Sequence, residues 1–157
     1  MKKRFFLLVL YSIYFILNSF CFAQNKIIDS LLIIIKRDKP DTSIVNNLTR
    51  LSREYISIGS YDSALHRAND AVLFAKSIES LTEQTTVKQS LQKATAASLC
   101  NIGLVHWRQS EYSLAIDYYL KALKIYEGLG IKSKIAGVQG NIAGIYLSEG
   151  NATKALD

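Results

Sequence analysis

The sequence predicts an all-α stack of antiparallel helix pairs, a solenoid, and three observations carry that prediction. A segment repeats itself: Asn101-Ile102-Gly103 recurs as Asn141-Ile142-Ala143, an offset of 40 residues. An aromatic follows at Tyr146, with His106 standing in its place one copy earlier, and then a small residue at Ala115 and Ala155. A third copy lies upstream, aligned by Leu51, Ser52, Tyr55, Tyr61, Ala64 and Ala71. The second observation is spacing, since Tyr112, Ala115, Ile116, Tyr119, Ala122, Leu123 and Tyr126 fall on one helical face. The third is the placement of small residues at Gly103, Ala115 and Ala122, which lets two helices approach while Tyr or Leu from the other fills the gap. One helix pair cannot bury both its faces, so neighbouring pairs must stack.

The chain of 157 residues is long enough for one domain, and a composition 49% apolar with a single proline excludes disorder. Residues 1–23 read as a leader. Lys2, Lys3 and Arg4 open it, the mostly apolar stretch Phe5–Leu17 follows, and Cys21 and Ala23 place small side chains before a cut at Gln24. The alternative is an N-terminal membrane anchor over Phe5–Ala23. Phe20 stands where a lipoprotein signal requires a small residue, which argues against lipidation of Cys21. The leader holds three of the 19 Lys and Arg, so the remainder carries 16 against 13 Asp and Glu, a net charge of +3 rather than +6. Those charges are scattered, not striped, so no nucleic-acid partner is expected. Without the leader only Cys100 remains, which rules out an internal disulfide.

A lead-in helix and turn are predicted over 24–41, with the helix at about Lys26–Arg37 and Pro40 ending it. Repeats follow over about 43–80, 82–128 and 132–157. The first pairs Ser43–Ile58 with Tyr61–Glu79, and the second pairs Thr82–Gln109 with Tyr112–Glu127, stopped by Gly128 and Gly130. The third begins near Lys132 and ends at Asp157 early in its second helix. That leaves Ile142, Ile145 and Tyr146 half covered and predicts a surface open to self-association. Tyr61 and Tyr112 are 51 residues apart, 11 more than the other period. Three helical turns take about 10.8 residues, so the insertion is predicted to lengthen the helices around Ser77–Ala96 rather than add a loop.

No catalytic constellation is present in the sequence. Cys100 and His106 sit six apart on one helix, on different faces, and His66 lies beside Arg67 on an outer helix. No spacing suits zinc, and no acidic cluster suits a hard cation, so neither metal nor cofactor is expected. Gly137, Gly140 and Gly144 follow no strand and precede no Gly-Lys-Ser/Thr, so close helix packing accounts for them better than a phosphate loop.

The run Asn101-Ile102-Gly103 followed by Tyr112-Ser113-Leu114-Ala115-Ile116-Asp117-Tyr118-Tyr119-Leu120-Lys121-Ala122-Leu123 resembles the tetratricopeptide repeat, in its longer-helix form. The resemblance covers about Lys26–Asp157 and is weakest in the first repeat, where Ser52 replaces the usual Gly. It implies a right-handed superhelix, incomplete at the C-terminus. The opening Ile28-Asp29-Ser30-Leu31-Leu32 also resembles exported repeat proteins of the Bacteroidetes group, in which such arrays often precede a membrane helix and a histidine kinase, a nucleotide cyclase or a DNA-binding output domain.

In tetratricopeptide arrays the first helix of each repeat lines a concave groove. Carried over, this implies Asn46, Thr49, Arg53 and Ile56, then Ala97, Cys100, Leu104, Trp107 and Arg108, then Gly137, Gly140, Gly144 and Leu147, with Trp107, Arg108 and Leu104 as the anchor. The carboxylate clamp of chaperone-binding members is matched cleanly only by Asn101, so that partner is not implied. The expected function is an exported, non-enzymatic scaffold in the periplasm or cell envelope that binds a protein or peptide partner and no small-molecule substrate. The alternative is the input region of a membrane sensor.

Overall fold

The computed structural model describes residues 26–35 and 41–150. The leader, Pro40 and the Ala155 end of the third repeat lie outside them. The described residues are helical, with no strand. α1 covers residues 26–35, α2 Thr42–Ser57, α3 Tyr61–Leu81, α4 Thr85–Arg108, α5 Tyr112–Gly128 and α6 Lys132–Ser148.

Local chemistry sets the ends of these helices. Asp41 caps α2, its carboxylate accepting from the Ser43 amide at 2.7 Å; hydrogen bonding from the Ser43 side chain, and then from that amide, holds its pKa below the usual value. Three turns share one construction. After α2, α4 and α5 the chain passes through a left-handed residue, Gly59 (φ 76), Ser110 (φ 62) and Gly130 (φ 66) respectively. The following amide bonds back five residues, Ser60 to Tyr55, Glu111 to His106 and Ile131 to Tyr126, at 2.9–3.0 Å. This is the Schellman closure, which satisfies carbonyls that the helix end would otherwise leave bare.

Consecutive helices pack against each other from α2 to α6, and α2 also packs on α4. The result is a stack: pair α2/α3, pair α4/α5, then α6. α1 closes the near end, with Ile28 and Leu31 buried together with Leu51 of α2. A second core joins Ile44, Val45 and Leu48 of α2 to Ala71 and Ala75 of α3 and to Leu91 and Ala94 of α4. A third joins Ala96 of α4 to Ala115, Tyr119, Ala122 and Tyr126 of α5 and to Val138 and Ile145 of α6.

The long period resolves in the helices. α3 (21 residues) and α4 (24 residues) together exceed α5 and α6 (17 each) by the same 11 residues, and each pair is joined by three residues. Thr82–Gln84 is therefore the only non-helical part of the inserted region. Register survives the insertion, since the four buried residues of α3, Ala64, Ala68, Ala71 and Ala75, each map 51 residues on to the four of α5, Ala115, Tyr119, Ala122 and Tyr126.

The glycines divide into two kinds. A methyl added at Gly103 would meet the Ala115 carbonyl and the Tyr119 ring at 3.2 Å, and one at Gly144 would meet the Trp107 ring at 2.9 Å. At Gly137 and Gly140 an added methyl would meet nothing within 4 Å. Close packing therefore explains Gly103 and Gly144 but not Gly137 or Gly140, because that side of α6 faces open space. Of the three residues expected to be half covered, Ile145 is instead fully buried, in the core that α6 shares with α4 and α5, whereas Ile142 and Tyr146 are half-buried.

Candidate partner-binding groove

The first helices of the successive pairs, α2, α4 and α6, border a cavity of about 320 Å³. α2 contributes Thr49, Arg50 and Arg53; α4 contributes Ala97, Cys100 and Asn101; α6 contributes Lys134, Gly137, Val138 and Asn141; Tyr126 reaches in from α5. A second cavity of about 430 Å³ continues past Arg53 and is lined by Ile56, Ser57, Gly59, Tyr61, Leu104 and Arg108. Arg53 borders both, so the two form one strip along the α2–α4 face.

Polar bonds across the layers fix the centre of this strip. Asn101, buried, donates from Nδ2 to the Thr49 carbonyl at 2.9 Å, which ties α4 to α2. Thr49 Oγ1 donates to the Val45 carbonyl at 2.8 Å and lies 2.8 Å from Ser98 Oγ. With the threonine proton already committed, the fully buried Ser98 is the donor in that pair. Asn101 thus acts as a tie between repeats as well as a groove residue.

Of the thirteen residues expected to line the groove, the structure brings Arg53, Ile56, Leu104 and Arg108 together around the second cavity, and Thr49, Ala97, Cys100 and Gly137 join Arg53 around the first. Trp107 lies elsewhere, half-buried, its six-membered ring against Gly144 and its side chain packed on the α4/α5/α6 core. Leu147 stands 60% exposed at the last turn of α6 and borders neither cavity. Sequence reasoning missed Arg50, Lys134, Asn141 and Tyr126. Arg50 was legible, since it precedes Arg53 by three residues and so shares its helix face.

Burial pushes the Cys100 thiol up to about 11, against an opposing pull from Lys134 and Arg53. Such a thiol is protonated at neutral pH and is a poor nucleophile. Burial likewise raises Tyr126 to about 12 and raises Tyr119, whose hydroxyl is buried without a hydrogen-bond partner. His106 lies outside the groove lining, stacked on Tyr118 with ring centroids 5.4 Å apart and its Nδ1 2.5 Å from Glu111 Oε2. His66 is solvent-facing, with Nε2 3.7 Å from Asp70. No group of three His, Cys, Asp or Glu side chains gathers among the described residues as a metal site would require.

The tetratricopeptide-repeat family model matches residues 96–129. Over that stretch the chain is similar to one tetratricopeptide repeat. The matched stretch takes in the second half of α4, the Ser110 turn and all of α5, the segment that holds the Gly103–Tyr119 contact. Tetratricopeptide repeats commonly mediate protein or peptide binding, and their domains are typically non-catalytic scaffolds. A comparison with curated proteins gives no match. No helix among the described residues is long and apolar enough to cross a membrane.

Proposed function

We propose that this chain is an exported protein-interaction scaffold that holds a peptide or protein partner in the groove along α2, α4 and α6. The continuous strip through Arg53, with Leu104 and Ile56 as apolar contacts and Arg53 and Arg108 exposed, supports this reading. Arg is among the residues that dominate binding energy at protein interfaces, and Leu104 and Ile56 add half-buried apolar surface beside Arg53 and Arg108. Export rests on the tripartite leader, with Gln24 as the first residue of the mature chain.

The test is crosslinking of the mature protein in envelope extract. Wild type is compared with Leu104→Glu and with Lys121→Glu on α5, each checked for an unchanged helical signal. Loss of the crosslinked partner with Leu104→Glu alone is the expected result, and equal capture by all three would refute the groove. Mass spectrometry of the same material should find Gln24 at the N-terminus; an intact Phe5–Ala23 segment would instead favour anchoring.

A further inference from the structure

Four cations border the strip: Arg50, Arg53 and Lys134 in the first cavity, Arg53 again with Arg108 in the second. No acidic side chain lines either cavity. Among the described residues none of the four has a carboxylate within ion-pair distance, whereas Arg67, on the outer helix α3, is paired with Asp70 at 3.0 Å. Their field reaches the floor of the groove, because Arg53 and Lys134 oppose the effect of burial on Cys100. The floor itself is low, since Gly137 leaves more than 4 Å of open space where a methyl would stand. Unpaired cations around a shallow, open floor leave like charges uncompensated until an anion arrives.

From this charge pattern we infer that the groove takes an acidic, extended segment of a partner protein, lying over Gly137 with its carboxylates on Arg50, Arg53, Lys134 and Arg108. The inference rests on the groove reading above and adds the chemistry of the partner. The cations are spread over two adjoining cavities rather than gathered at one point. That suits several side-chain carboxylates within a chain better than a single terminal carboxylate.

Fluorescence polarisation of a dye-labelled, C-terminally amidated peptide of alternating Glu and Gly tests it with the mature full chain. The expected result is saturable binding that weakens with salt and falls at least about fivefold in the Arg53→Glu/Lys134→Glu double variant, the scale of two exposed ion pairs. The Lys121→Glu/Lys124→Glu variant changes net charge equally on α5 and should bind as wild type. An equal loss in both double variants, or no binding by wild type, would overturn the inference. A requirement for a free C-terminal carboxylate would overturn the internal-segment assignment. If the envelope partner is lost with Leu104→Glu but retained by Arg53→Glu/Lys134→Glu, the acidic chemistry fails while the groove stands. If neither change affects capture, both fail.

Discussion

Ser110 occupies the left-handed position that glycine holds at residues 59 and 130, with φ 62 against 76 and 66. A left-handed conformation costs an L-residue roughly 1–2 kcal/mol, part of which is offset by the greater freedom of Gly in the unfolded chain. Ser110→Gly should therefore stabilise by about 0.5–1 kcal/mol, measured by urea denaturation; a destabilised variant would mean the serine side chain holds the turn. The two kinds of glycine allow a paired measurement. Gly137→Ala should stabilise by about 0.5–1 kcal/mol, because the helix gains propensity and the methyl meets nothing. Gly103→Ala should destabilise by about 1 kcal/mol or more, since the 3.2 Å contacts include a backbone oxygen that cannot swing away. Equal effects at the two sites would contradict the packing described.

At the scale of the element, the two complete pairs solve one packing problem in opposite ways. Gly103 of α4 meets the large Tyr119 of α5, while the residues 51 positions earlier are Ser52 and Ala68, both fully buried. The smaller α3 residue leaves room for a side chain on α2, so the departure from Gly at Ser52 is matched by Ala in place of Tyr. Among the described helices α6 packs chiefly on α5, and the Trp107 ring on Gly144 is one of its attachments to the stack. Trp107→Ala should therefore cost about 2 kcal/mol of stability, less than the loss of a fully buried ring, and should preferentially speed amide exchange in α6. Unchanged α6 exchange would show that α5 alone holds it. In the same experiment the amides of residues 89–93 should be protected, because they lie within α4. Rapid exchange there would contradict the helical insertion.

Across the whole molecule, the α4/α5/α6 layer holds three groups whose protons burial retains. The folded pKa values are raised, from 9.0 to about 11 for Cys100 and from 10.0 to about 12 for Tyr126, with Tyr119 raised further. The folded state therefore binds these protons more tightly than the unfolded chain does. Their contribution to stability is fully present below about pH 9 and is lost as pH rises through about 9–12. The melting temperature should fall across that window, and Cys100 should react slowly with iodoacetamide at pH 8 until the chain is unfolded. A melting temperature constant from about pH 9 to pH 12, or alkylation as fast as a free thiol, would show this layer to be open to water.

The sequence by itself determined the helix pairs, their order and their register. Those depend on apolar and small residues recurring along one chain, as at Ala64, Ala68, Ala71 and Ala75 and their counterparts in α5. The resemblance to the tetratricopeptide repeat also assigned Arg53 and Ile56 of α2 and Leu104 and Arg108 of α4 to the groove, and the four line one cavity. Only the tertiary structure decided that Arg50 and Lys134 share a cavity, that Asn101 reaches the Thr49 carbonyl 52 residues away, and that Trp107 rests on Gly144. Periodicity fixes which side of a helix is buried. It does not fix how far each helix is rotated and shifted against the next layer, which is set by the combined packing of all the core side chains at once.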